Sequence, residues 1–470
     1  MIIRIAGRSV PLDRRHALGA VELARAAVRA EVASQSKRLR WGFAALTAVI
    51  GLGAIAAAFK VPAGSEVMGT TPAVEWGLLI ATYVFLVVTT SGLCLVNSLG
   101  MVFGIDRFKP LEMRHVFLAV LFLLAGFGVI ALELQYPLRL VFGVVMSPSP
   151  GSPMWWMGVV YAIYLGVLLF ELVTNMSNHR RLAHAACVIS SGWAVVAPVT
   201  LGMVFASLVS RPFWQGSFVP LYLVITAMLS GASVLGIVFT LVQRLRLPGH
   251  GPDAAGVVVG IRGLLVILLS LVTAYTVLRT VAALTIGSEL DREAVSAMLV
   301  GPLGPQSWLL RGVVGLVVPL IVLLWPTRRR GLAVFAASWL IMIGVFVDRL
   351  SFVTAGQIAP WGAASGIVSG EYASYFPSLA ELAIVAGSIA VVALIYVIAE
   401  RFLDLSSPGG SGDVHGIRAS GAQAMLRRRI LGIGPGVRPD VGGAAVDTLA
   451  VATPVLFPPA PIAPGEGARR

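Results

Sequence analysis

Residues 76–103 read WGLLIATYVFLVVTTSGLCLVNSLGMVF, and none of them is Asp, Glu, Lys or Arg. A bilayer core about 30 Å thick needs roughly 20 apolar residues in helical form. The stretch therefore reads as a membrane-spanning helix that tilts in the core or extends beyond it. Nine more apolar runs accompany it, at 42–59, 115–132, 155–175, 184–208, 219–243, 261–284, 311–326, 332–353 and 379–399. The predicted fold is an all-α integral membrane protein with ten transmembrane helices.

Composition and charge agree. Of 470 residues, 57% are hydrophobic and 12% charged, the latter about half the share of a soluble domain. The net charge of +13 raises the question of nucleic acid, but lipid is the natural solvent for so apolar a chain, and no nucleic-acid role is expected. With the N-terminus inside, the inner segments hold 28 of the 35 Lys and Arg residues and the outer segments 7. That is the positive-inside pattern, with both termini cytoplasmic. Trp76, Trp155, Trp156, Trp214, Trp308 and Trp361 fall near outer helix ends and Trp41 and Trp325 near inner ends, which reads as an aromatic belt of membrane anchors.

Residues 1–40 form a basic cytoplasmic segment, with an amphipathic helix expected at 17–33 on the anionic inner leaflet. Residues 41–402 form the membrane domain. Residues 403–470, rich in Gly, Pro and Ala, read as a largely disordered cytoplasmic tail. The two cysteines, Cys94 and Cys187, are too few for an iron–sulfur cluster. None of the six histidines falls in mid-membrane, so no pair of axial haem ligands is expected, and no metal site.

Two spans carry the same signature. Tyr83 precedes Ser91-Gly92 by eight residues, and Tyr222 precedes Ser230-Gly231 by eight. This predicts two four-helix bundles in the same orientation, spans 2–5 and 6–9, flanked by helices 1 and 10. A parallel repeat needs an even number of spans per unit. Ser-Gly also serves simple close packing of helices.

Ionisable groups in membrane helices are costly, and are paired or functional. Near outer helix ends lie Glu75, Glu133, Asp348, Arg349 and Glu381, with Tyr136, Tyr161 and Tyr164 at similar depth or slightly deeper. Near inner ends lie Arg114, His115, Glu171, His179, Arg180, Arg181 and His184. Each could equally be an interfacial residue or part of a helix-end ion pair.

Several segments line up with a known family. They are Thr71 to Gly77 followed by Tyr83, Gly126 to Glu133 with Pro137, the loop Ser147 to Trp156, Pro212 to Trp214 with Pro220-Leu221-Tyr222, Gly344 to Arg349, and Tyr375 to Ser378 with Glu381. In these the chain resembles the NrfD-like proteins, the polysulfide reductase membrane-subunit family. The likeness is to the ten-helix branch seen in alternative complex III and sulfur-metabolism complexes, and it covers about residues 41–402.

The resemblance implies a membrane anchor subunit of a respiratory oxidoreductase complex. Such a subunit exchanges electrons between menaquinone or ubiquinone and a ferredoxin-like [4Fe–4S] subunit on the outer face. A molybdopterin oxidoreductase or a multihaem cytochrome would complete the complex, with membrane lipids around it and the bacterial inner membrane as its location. Quinone chemistry needs hydrogen-bond partners for two carbonyls and a proton relay. The outer acids Glu75, Glu133 and Asp348 are the candidate relay, and Trp76, Tyr83, Tyr161, Tyr164 and Arg349 the candidate quinone contacts. Some members place a His at the outer quinone site. This chain has none at an outer helix end, and Glu75 is expected in that neighbourhood. Ser91, Asn97, Glu171, His179 and His184 form a candidate proton path. A secondary transporter and a structural anchor without its own quinone site are the alternative readings. The transporter reading suffers because transporter repeats are often inverted around midplane sites.

Overall fold

The computed structural model describes residues 2–5, 8–11, 37–64, 66–134, 146–176, 180–211, 213–216, 218–245, 254–325, 330–358, 372–402 and 405. The expected helix at 17–33, the tail from 406 onward, Tyr136, His179 and Trp361 lie outside the described residues. A short antiparallel hairpin pairs Ile2–Ile5 with Arg8–Pro11, and the sequence reading did not anticipate it.

Eleven helices follow among the described residues. In chain order they are α1 Lys37–Ala63, α2 Leu78–Met101, α3 Glu112–Glu133, α4 Pro153–Met176, α5 Arg180–Ala206, α6 Phe218–Leu245, α7 Ala254–Ile286, α8 Glu289–Leu299, α9 Gln306–Leu324, α10 Arg330–Ile358 and α11 Leu379–Phe402. All but α8 are long and apolar enough to cross a membrane. Every predicted span has its helix. The two ends of the structure are named here for the residues nearest them, the Trp76 end and the Arg114 end.

Besides the hairpin and a 3-10 turn at Asp106–Leu111, two further features are not among the expected elements. One is α8, a short helix capped by Ser288, whose side chain accepts from the Asp291 N–H at 3.2 Å. The other is the first part of α9, Gln306–Val317, which is wound as a π-helix before Val318–Leu324 returns to α-helix. Such windings often mark functional sites.

The helices pack as two rings. In bundle one, α2 touches α3 and α5, and α4 bridges α3 to α5. In bundle two, α6 touches α7 and α10, and α9 bridges α10 to the far side. The bundles meet where α2 crosses α6, and α1 and α11 pack together against bundle one. The predicted pairing of spans 2–5 and 6–9 is thus the observed one.

The repeated Ser-Gly sits at that crossing. A Cβ on Gly92 would lie 1.7 Å from the Ala227 carbonyl oxygen, and one on Gly231 would lie 2.1 Å from the Gly92 carbonyl carbon. Only two glycines allow backbones this close. Helix α2 is the central helix: nearly all of it is buried, with α3, α5, α6, α10 and α11 around it. By contrast α1 turns Leu52, Ile55 and Phe59 outward, as a lipid-facing helix should.

Candidate functional site

Four polar settings lie within this apolar frame. The first is the interior of bundle one. There α4 presents Tyr161, Tyr164, Leu168 and Glu171 on one buried face, at the three-to-four spacing of a helix side. Tyr161 stands beside Tyr83, and Tyr164 beside Ser91 and Cys94. Glu171 neighbours Cys94 and lies 3.2 Å from His115 Nε2 through Oε1. Asn97 donates to the Cys187 sulfur at 3.3 Å.

All these side chains are buried. The Tyr161 hydroxyl, the Asn97 amide oxygen and Glu171 Oε2 have no hydrogen-bond partner among the described residues, while the Tyr164 and Ser91 hydroxyls stand against each other beside Cys94. A buried polar group left so costs about 1–3 kcal/mol, and a run of them marks where water or a ligand belongs. A cleft of about 480 Å³ opens between the Trp76-end halves of α4 and α5, and it is lined by Trp156, Val160 and Met203.

This setting keeps Ser91, Asn97 and Glu171 of the candidate proton path and changes its histidine. His184 is exposed on α5 and is not part of the interior. His115 takes the place beside Glu171. Its position on α3 was noted from the sequence, but which way it faced was not legible there.

The second setting is in bundle two. Asp348 accepts from the Tyr222 hydroxyl at 2.5 Å, pairs with Arg311 Nε at 2.7 Å and lies 3.4 Å from Arg349 Nη1. Arg349 also donates to Thr226 and stacks over the Tyr222 ring at 5.4 Å. Asp348 stands ten residues before the end of α10, about 15 Å along the helix, so it is deeper than its expected place near a helix end. Arg311 and Tyr222 were not among the expected site residues. A cavity of about 350 Å³ lies against this cluster.

The third setting is the Trp76 end, between the bundles. Trp76 and Trp214 stack at 5.4 Å, with Phe205 edge-on to both. The Trp76 backbone is held in both directions by the Gln357 amide, at 2.9 Å each. Trp214 is buried and donates to the Phe352 carbonyl at 2.8 Å. These two tryptophans are interior packing, which corrects their reading as membrane anchors. Trp41, Trp156, Trp308 and Trp325 are exposed, as anchors require.

Nearby, Arg211 donates to the Gly356 and Gln357 carbonyls. Partial burial pulls its guanidinium below the usual value, and neighbouring Glu75 opposes that. Glu75 itself is exposed. Glu133 is elsewhere, next to Lys60 and Glu381, and Lys60 caps the end of α3 through the Leu132 and Glu133 carbonyls. The three candidate acids Glu75, Glu133 and Asp348 therefore sit in three different surroundings, not in one group.

Glu381 is structural. Ser378 and Glu381 form a capping box at the start of α11, in which each satisfies the other's backbone N–H. Glu381 also accepts from Tyr375 at 2.9 Å and from the Gly69 N–H at 3.0 Å. Burial and Glu381 both raise the Tyr375 phenol above its ordinary value, which keeps it a donor.

The fourth setting is the Arg114 end. Arg114 makes a paired contact with Glu400, the shorter arm 2.7 Å, and Tyr396 donates to the other Glu400 oxygen at 2.7 Å. All three are buried. This triad joins α3 to α11, and the sequence reading had not paired its members. Among the described residues, no group of three or more His, Cys, Asp or Glu is arranged to hold a metal ion.

Comparison with known proteins fits this architecture. The chain is 27% identical over 401 residues to a putative membrane subunit of dimethyl sulfoxide reductase from Halobacterium salinarum, covering 77% of this chain and 90% of that protein. It is 24% identical over 353 residues to an Hdr-like menaquinol oxidoreductase integral membrane subunit of Archaeoglobus fulgidus, covering 72% and 86%. It is 21% identical over 406 residues to a subunit of selenate reductase from Mesobacillus selenatarsenatis, covering 76% and 92%. The pattern of the family described as polysulphide reductase, NrfD, matches residues 66–360, more than half of the chain. With its ten apolar helices and paired four-helix bundles, the chain belongs to the NrfD family and is a multi-pass membrane protein.

Proposed function

We propose that this chain exchanges electrons between membrane quinone and an extrinsic iron–sulfur subunit, and that bundle one houses the quinone head and its proton route. The observation that carries this reading is the buried file from Tyr161 to Glu171. Interconversion of quinone and quinol moves two electrons and two protons. The carbonyls of a quinone accept hydrogen bonds, and the buried Tyr161 hydroxyl is a donor without an acceptor among the described residues, with Tyr164 next in the file beside Ser91 and Cys94. The cleft beside Val160 gives a path from the lipid.

Below them, Glu171 and His115 form a carboxylate–imidazole pair, the two residue types that pass protons near neutral pH. Tyr161 and Glu171 are ten residues apart on α4, about 15 Å. Ser91 and Asn97 flank the file on α2. Ordered water bridging such groups would complete a route from the Trp76 end toward the Arg114 end. Asp348 and Arg349 in bundle two, and Glu133 beside Lys60, are not part of this file. Exposed Glu75 beside Arg211 suits the surface where a partner docks.

The charge asymmetry supports an outward-facing Trp76 end with both termini cytoplasmic, and the proposed location is a bacterial inner membrane. The extrinsic partner is then a ferredoxin-like [4Fe–4S] subunit at the Trp76 end, accompanied by a molybdopterin oxidoreductase or a multihaem cytochrome. The relatives, a menaquinol oxidoreductase subunit and two reductase subunits, support such a complex and favour menaquinone. The test is to isolate the complex through a tag on this chain, identify its subunits and extract its lipids. Bound quinone and an iron–sulfur partner are expected. A complex without quinone that is unaffected by Tyr161→Phe would leave only a structural anchor.

A further inference from the structure

Bundle two holds a cavity that the file in bundle one does not use. It has apolar walls and a polar floor made by Tyr222, Arg311 and Asp348. Arg311 on the floor is paired with Asp348, the one carboxylate that Arg349, outside the lining, also approaches among the described residues, and Arg279 on the wall is paired with Asp291. Arginine stays charged in proteins, so Arg311 presents guanidinium donors to whatever enters, and two guanidinium groups share the single Asp348 carboxylate at this floor.

Two more donors face it. The buried hydroxyl atoms of Thr276 on α7 and Ser307 on α9 line the cavity, and neither has a hydrogen-bond partner among the described residues. The Tyr222 and Tyr275 rings stack at 5.2 Å, nearly parallel, on the same wall. Donors on separate helices, a flat aromatic wall and a guanidinium on the floor suit a planar ring with acceptor oxygens on opposite edges.

The cavity opens sideways. The π-helical half of α9 stands off α7, which α9 meets along Val318–Leu324. The rim residues Val277, Val281, Trp308 and Val317 are all exposed. An occupant therefore enters from the hydrocarbon layer. Thr276 and Asp348 each lie ten residues inside their helix ends, about 15 Å. Ser307 and Arg311 stand in the first two turns of α9, so a headgroup phosphate would reach them but would have to be drawn deeper to reach Thr276, whereas an isoprenoid quinone meets all three from the hydrocarbon layer.

We infer that bundle two carries a second quinone site, between α7 and α9, in which Arg311, Thr276 and Ser307 bind the carbonyl oxygens of the ring. The inference rests on the quinone reading of this chain but not on the location of the bundle-one site. The cavity volume of about 350 Å³ lies within the usual range for small-molecule sites.

The test uses the full chain in quinone-free nanodiscs, titrated with a short-tailed menaquinone, with bound quinone per chain as the readout. Thr276→Phe fills the cavity from α7, and Ser307→Leu fills it from α9 if the first variant does not fold. The wild type should bind two quinones per chain at saturation, and each filled variant one. Arg311→Gln should weaken one class of site by at least about tenfold. Equal stoichiometry in wild type and filled variants would overturn the second site and leave the bundle-one reading standing. Loss of bound phosphatidylglycerol rather than quinone in the filled variants would also overturn it, because the occupant would then be an anionic lipid. No quinone bound by any form would remove both readings together.

Discussion

His115 Nε2 lies 3.2 Å from Glu171 Oε1, with both side chains shielded from solvent. A carboxylate and an imidazole at this distance are the two side-chain types suited to handing a proton on. Glu171→Gln keeps the shape and removes the acid. Quinol turnover by the complex should fall by about 10²-fold or more, while bound quinone and thermal stability stay near wild type. Turnover and quinone content of the same preparation check this together.

The crossing of α2 and α6 predicts a steric contrast. A Cβ at Gly92 would meet the Ala227 carbonyl oxygen at 1.7 Å, whereas one at Gly128 on α3 meets nothing within 4 Å. Gly92→Ala should destabilise the protein by about 1–3 kcal/mol or more, since the helices must separate. Gly128→Ala should be neutral or slightly stabilising. Thermal unfolding of both variants in one detergent distinguishes them.

The buried pair of Arg114 and Glu400 predicts a non-additive cycle. Arg114→Met strands a buried carboxylate and should cost about 3–5 kcal/mol. Adding Glu400→Gln should recover much of that loss, because no charge is then left unpaired. A double-mutant cycle on unfolding reads the coupling.

Orientation can be read by labelling. Glu75 and Lys109 are exposed at opposite ends of the structure, and native Cys94 and Cys187 are buried. In intact cells stripped of any outer membrane, a membrane-impermeant maleimide should label Glu75→Cys and spare Lys109→Cys. The reverse pattern would invert the assigned topology.

The architecture was legible because lipid imposes it. Only long apolar helices cross a bilayer, so ten runs and their charge asymmetry define the spans, and the repeated Tyr83/Ser91 and Tyr222/Ser230 spacing identifies the paired bundles. The cross-helix partners were not legible. Whether Glu171 faces His115 or His184 depends on the rotation of α3, α4 and α5 about their axes, which spacing along one helix cannot report. Asp348 looked terminal because the apolar run ends at 353, yet α10 continues to Ile358. Trp76 and Trp214 looked like anchors because both stand at helix ends, and their stacking depends on contacts between α2 and the segment joining α5 to α6.

Buried groups in bundle one are proposed to handle quinone. The most direct measurement is the quinone content and quinol turnover of the tagged complex carrying Tyr161→Phe, beside the wild type and Gly128→Ala. Reduced quinone retention together with a turnover at least about tenfold lower, at unchanged thermal stability, is the predicted result. Wild-type quinone content and turnover in Tyr161→Phe would contradict the account.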